Sequence, residues 1–163
     1  MINHFLFNKR NIHKFSKHFF LMMFKMQPKT PLLTVDIVIK TKDDKIVFIK
    51  RLNPPFKGFF ALPGGFVEYG EKVEEAAIRE AKEETGLDVE DLKLIGVYSD
   101  PNRDPRGHVV SIAFLAKEKG GVLKASSDAK EVAALMDPPE NLAFDHALIL
   151  NDAMKIIKKE KKY

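Results

Sequence analysis

The 163-residue chain has no cysteine and no tryptophan. Without cysteine there are no disulfides and no Cys-based zinc sites, and the composition fits a reducing compartment, so the cytoplasm is the expected location. Gln27 is the single glutamine, while Lys and Glu abound. That mixture is found in thermophile proteins, where charge networks gain value with temperature. Long apolar runs are also missing. The longest, Phe19 to Phe24, is six residues ended by Lys25. It is shorter than the core of a secretory signal, about 7 to 15 residues, and far short of the roughly 20 that span a bilayer. Neither export nor a membrane partner is expected.

Acidic residues are lacking before position 28, where Lys9, Arg10, Lys14, Lys17 and Lys25 stand unopposed. The other end carries Lys158, Lys159, Lys161 and Lys162 against Glu160 alone. The formal net charge of +4 and the pI near 9.1 therefore come from the termini. Charge of this kind reads as solvated tails, so no nucleic-acid partner is expected. Residues 1–27 read as a flexible basic extension, with Met22, Met23 and Met26 as alternative starts, and residues 28–163 as one domain. Hydrophobic residues make up 45% and charged residues 31%, enough for a soluble domain with a real core.

Apolar residues alternate at Leu33, Val35, Ile37 and Ile39, the period of a strand, and a polar turn at Lys42–Lys45 leads into a second strand at Ile46–Arg51. Phe59–Leu62 is a short extended stretch before Pro63-Gly64-Gly65. Val73–Thr85 lacks Gly and Pro, is rich in Ala, Glu and Lys, and is followed by Gly86, suited to the left-handed position after a helix. Glu71, Glu74 and Glu75 lie where negative charge favours a helix start. Leu92–Ser99, His108–Ala116 and Glu131–Met136 read as further strands, and Asp145–Lys159 as a closing helix. Mixed strands with one helix mid-chain and one at the end predict an α/β fold, an α/β/α sandwich around a mixed sheet.

At 100° per residue, Glu80, Glu83 and Glu84 share a sector about 100° wide. Ala77, Ala81 and Ile78 fill the adjoining sector, so one side packs while the acidic side faces a cleft. Like charges three and four residues apart repel, and a hard divalent cation compensates them: Mg²⁺ takes oxygen ligands and bridges carboxylates to phosphates. Arg79 has Glu75 and Glu83 four residues to either side as partners, a role in orientation. Gly64 and Gly65 are expected to take positive φ and to let the backbone approach the site.

Gly65, five residues, Glu71, seven residues, Arg79-Glu80, Ala81, Lys82, Glu83-Glu84, Thr85, Gly86, Leu87 resembles the complete Nudix box. Seven fixed identities at roughly 7% each give chance agreement on the order of 10⁻⁸ per start position. The resemblance runs from about Leu32 to Ile157 and implies the Nudix fold. By position it implies Glu80 and Glu84 as principal metal ligands, Glu83 as a further ligand or proton acceptor, Glu71 as a supporting carboxylate, and the Gly65 carbonyl in the metal shell. Mg²⁺ is the implied cofactor, with Mn²⁺ as the alternative, and a homodimer is common among such proteins.

Pro101, fifteen residues after Gly86, the segment Ser99 to Arg106, and Leu142-Ala143-Phe144-Asp145-His146 resemble the ADP-ribose pyrophosphatase branch. The resemblance implies hydrolysis of ADP-ribose to AMP and ribose 5-phosphate, with other nucleotides as alternatives. Arg103 and Arg106 suit a diphosphate or terminal phosphate, and Arg51 joins them as a substrate contact. Phe59 and Phe60 are core residues or an adenine platform, and Phe60 is carried as a substrate contact. Asp128 and Glu131 are general-base candidates that also read as surface acids, and His108 and His146 fall near the expected cleft edge but equally fit satisfied structural histidines. The rival class is an ADP-ribose-binding regulator, disfavoured here by the intact acidic triad.

Overall fold

A computed structural model describes residues 29–125 and 129–161. The basic extension and the candidate Asp128 fall outside the described residues. Strands β1 (Leu32–Lys40), β2 (Ile46–Arg51), β3 (Phe60–Ala61) and β4 (Gly64–Phe66) precede helix α1 (Val73–Thr85). Strands β5 (Leu87–Tyr98), β6 (Val109–Gly121) and β7 (Ala129–Leu135) follow, then helix α2 (His146–Glu160). They form one seven-stranded mixed sheet in which β1 is central, parallel to β6 and antiparallel to β4. Among the described residues no helix is long and apolar enough to cross a membrane.

Strand β1 is buried from Thr34 to Ile39, so both of its faces are covered. Val35, Ile37 and Ile39 pack on Ala76, Ala77 and Ala81 of α1, whose methyl side chains let the helix lie close to the sheet. Val38 belongs to the opposite cluster, with Ile149, Leu150, Ala153 and Ile157 of α2. The α/β/α layering follows from these two apolar faces. Ile78 departs from the expected packing sector: it is exposed, and Ala76 takes its place in the core.

Helix α1 ends where the sequence predicts. Gly86 has φ 76° and its N–H donates to the Lys82 carbonyl. A Cβ at Gly86 would overlap the Val122 carbonyl oxygen, and a Cβ at Gly121 would overlap the Gly86 carbonyl oxygen. The helix end and the β6 end therefore touch backbone to backbone.

Strands β5 and β6 are longer than the expected Leu92–Ser99 and His108–Ala116. Residues 88–90 pair with 117–120 as a ribbon held by ion pairs such as Lys117–Asp91 at 2.9 Å. Leu87 and Val89 are buried and alternate with the exposed Asp88 and Glu90, but register shifts at Asp88/Val89 and Glu90/Lys93 break the period, so alternation does not run through the whole strand.

Candidate active site

Strand β4 delivers the glycines to the site. Gly64 lies opposite Asp36 and Gly65 opposite Val35. Neither has a positive φ, contrary to the expectation for them. Their necessity is close approach: a Cβ at Gly64 would overlap the Val35 carbonyl oxygen, and one at Gly65 would overlap the Glu80 carboxylate. The Gly64 N–H donates to Glu84 Oε2 at 2.9 Å.

Arg79 organises the acidic face with every arm of its fork. Nε and Nη2 donate to the two oxygens of Glu71 at 2.8 and 3.0 Å, and Nη1 to Glu80 at 2.7 Å and Glu83 at 3.2 Å. Nη2 also reaches the Phe66 carbonyl at 3.1 Å. The expected Glu75 partner is absent from this set, because Glu75 accepts the Lys72 backbone N–H at the helix start. The paired guanidinium holds the Glu71 carboxyl down at about 2. Glu71 thereby clamps the β4–α1 loop, accepting the Glu68 N–H at 3.0 Å as well.

Glu80 and Glu84 stand one turn apart and face the cleft. Burial raises both above the ordinary carboxylate range. Glu84 reaches about 7, the Gly64 N–H offsetting part of the effect of burial. Glu83 points away: its side chain is 59% exposed and does not line the cleft. Among the described residues no three acidic or His groups are gathered into a ready shell. The chemistry of the donors nevertheless fits a divalent cation: two costly buried carboxylates beside a backbone stripped of Cβ atoms invite a positive charge.

The folded Glu84 pKa lies above its unfolded value near 4.5, so its contribution to stability is present at low pH and lost as pH rises through the folded value. Metal-free protein is thus expected to lose about 3 kcal/mol between pH 4.5 and 8 from this group. Divalent cation should restore the loss at pH 8. Urea denaturation at both pH values with and without the cation measures it, and equal metal-induced gains at pH 5 and pH 8 would contradict it.

The cleft has a volume of about 460 Å³. The same cleft is lined by Arg51, Arg106, Asp104 and Phe144. Arg106 is chelated by Asp104, with Nε at 3.0 Å and Nη2 at 2.7 Å. Arg103 lies deeper than expected of a phosphate contact. Its side chain is 4% exposed and its fork is taken by Asp145 at 2.8 and 2.6 Å and by Asp36 at 3.2 Å. Asp36 also accepts the Ser111 hydroxyl at 2.5 Å and lies 3.3 Å from His146 Nε2. Burial works against ionisation of Asp36, but His146, Ser111 and Arg103 outweigh it and bring the group to about 2. The Leu62 N–H donates to His146 Nδ1 at 2.9 Å, which puts the imidazole proton on Nε2, toward Asp36. His146 lines the cleft with its ring locked between the Leu62 N–H and Asp36.

Phe60 does not line the cleft. It packs on the α2 side of the sheet with Lys50 Nζ 5.3 Å from its ring centre. Glu131 pairs with Lys50 at 3.6 Å and, like the exposed His108, lies outside the cleft lining. The residues that sequence reasoning missed are Asp36, Asp104 and Phe144. One signal was available: Asp36 interrupts an otherwise apolar strand.

The Nudix domain family model matches residues 30–155. The chain belongs to the Nudix hydrolase family. It is 52% identical over 151 residues to the ADP-ribose pyrophosphatase of Methanocaldococcus jannaschii, covering 92% of this chain and 88% of that one. It is 32% identical to the ADPR responsive transcriptional repressor NtrR of Acinetobacter baylyi, covering 82% of this chain and 57% of the repressor. The solved Nudix domain of Shewanella oneidensis NrtR complexed with ADP ribose superposes with a TM-score of 0.72 at 26% identity, covering 88% of this chain and 99% of that domain. Nudix hydrolases generally need a divalent metal ion, and Glu80 and Glu84 are the two carboxylates of α1 that line the cleft, alongside Asp36, Glu68 and Asp104.

Proposed function

We propose that this Nudix hydrolase uses Mg²⁺ to cleave ADP-ribose into AMP and ribose 5-phosphate. The observation that carries the reading is that one cleft is lined both by the half-buried carboxylates Glu80 and Glu84 and by two arginines, Arg51 and Arg106, with unengaged donors. Glu80, Glu84 and the Gly65 carbonyl would hold the cation. Mg²⁺ bound there would supply Lewis-acid polarisation of phosphoryl oxygens and a more acidic water. Arg51 and Arg106 grip the diphosphate with charge-assisted hydrogen bonds. Arg79 keeps Glu71, Glu80 and Glu83 in register. Arg103 acts by holding Asp36 and Asp145, not by touching substrate. The name of the archaeal pyrophosphatase and the ADP-ribose complex of the NrtR domain favour ADP-ribose over other nucleotides.

Incubation with ADP-ribose and Mg²⁺ is expected to yield AMP and ribose 5-phosphate in equal amounts, with faster turnover than for 8-oxo-dGTP or ADP-sugars. Faster turnover of a nucleoside triphosphate would reassign the substrate. ADP-ribose binding without hydrolysis, together with ligand-sensitive retention of DNA, would favour a regulator of the NtrR kind.

A further inference from the structure

Phe144 has φ 53° and Phe56 has φ 61°, a left-handed backbone that bulky side chains rarely adopt. Their rings meet edge to face with centroids 4.8 Å apart. Phe144 is pinned on both sides along the chain. The Ala143 N–H donates to the Phe60 carbonyl at 2.7 Å, Asp145 chelates Arg103, and His146 is fixed by Leu62 and Asp36. Strain of this kind persists only where the surroundings over-determine it, and it gathers at working sites.

What the strain presents is an aromatic ring within reach of two cations. The guanidinium carbon of Arg51 lies 4.9 Å from the Phe144 centroid and that of Arg106 lies 5.7 Å from it. Both distances are within the range of cation–π attraction. The cations are close enough to oppose each other: burial, and then the charge of Arg106, pulls Arg51 below its ordinary range. Among the described residues Arg51 spends only Nε, on the Pro55 carbonyl at 2.8 Å, and Arg106 leaves Nη1 unengaged. Two repelling cations with idle donors at the mouth of a cleft call for a polyanion.

We propose that Phe144 is a positioning residue whose ring holds Arg51 and Arg106 side by side, so that their free N–H groups together grip the two phosphates of a nucleoside diphosphate derivative. This rests on the functional reading above for the substrate class, and adds the element that sets the clamp. The strained backbone fixes the ring, the ring fixes the Arg51 fork and, together with the Asp104 chelate, the Arg106 fork, and the forks fix the diphosphate beside the carboxylates.

The test substitutes Phe144→Asn, because Asn takes positive φ readily and keeps the backbone at ease while removing the ring. Titration of inorganic pyrophosphate into the Mg²⁺-loaded protein should show about tenfold weaker binding than wild type. The KM for ADP-ribose should rise by about the same factor, with kcat within about threefold. Phe144→Tyr should restore both, and Phe56→Leu, which removes the edge contact but not the platform, should change neither. Unchanged pyrophosphate affinity in Phe144→Asn, or a fall in kcat without a rise in KM, overturns the proposal. If Phe144→Asn fails to fold, Arg51→Lys combined with Arg106→Lys keeps the charge and loses the planar stacking. The same tenfold loss supports the clamp, and wild-type affinity overturns it. Pyrophosphate binding needs no turnover, so a protein inactive on ADP-ribose sinks the substrate reading alone.

Discussion

Glu84→Gln is expected to lower kcat/KM by about 10³-fold, on the order of 4 kcal/mol of transition-state stabilisation, while leaving the metal-free protein at pH 8 as stable as before or more so. The two effects have one cause. The Gln carbonyl still accepts the Gly64 N–H that Glu84 now accepts at 2.9 Å, so local geometry survives. What disappears is a carboxylate that burial pushes up to about 7, whose ionised form opposes folding until a cation joins it. The variant should also lose most of the stabilisation that divalent metal gives the wild type. The same change at the largely exposed Glu83 is expected to cost less activity. Steady-state kinetics and denaturation with and without metal measure both halves. A Glu84→Gln enzyme within fivefold of wild type would place the metal elsewhere.

Arg103→Met is expected to destabilise the fold by about 3 to 5 kcal/mol, because it strands buried carboxylates that share one guanidinium. Asp145 loses a bidentate partner and Asp36 keeps only Ser111 and His146. For a chain of this length that corresponds to a Tm lower by about 10 °C. Asp145→Asn in the same background should return part of the loss, since it removes one of the two stranded charges. A Tm within about 3 °C of wild type for Arg103→Met would mean that the buried network contributes little. The KM should rise too, because Arg103 anchors the loop that carries Asp104 and Arg106.

Elements built on a strong local pattern were legible in the sequence. The alternation at Val35, Ile37 and Ile39 gave β1, and the Ala/Glu/Lys run closed by Gly86 gave α1 to the residue. The spacing of the acidic box put Glu80 and Glu84 on one face, and the structure turns that face to the cleft. Pairings that depend on distant chain segments were not legible. Arg103 reads as a free phosphate contact until Asp145, 42 residues on, is seen to occupy its fork. Phe60 and Phe144 are both plausible platforms by residue type, and only the sheet decides that one faces α2 and the other the cleft. Glu83 shares the acidic sector on a wheel, but a sector about 100° wide spans both the cleft and the solvent edge, and Arg79 draws Glu83 to the latter.

The bare backbone contact between Gly86 and the β6 end gives the metal helix a rigid mooring at its far terminus. With no side chain to repack, a single methyl at Gly86 or Gly121 forces the helix end and the β6 end apart. Such a displacement would reach Glu84 within two residues and Glu80 one turn further on. The ribbon of β5 and β6, remote from the chemistry, therefore works as a lever on the carboxylates, and alanine at either glycine is a way to detune the centre without altering any group inside it.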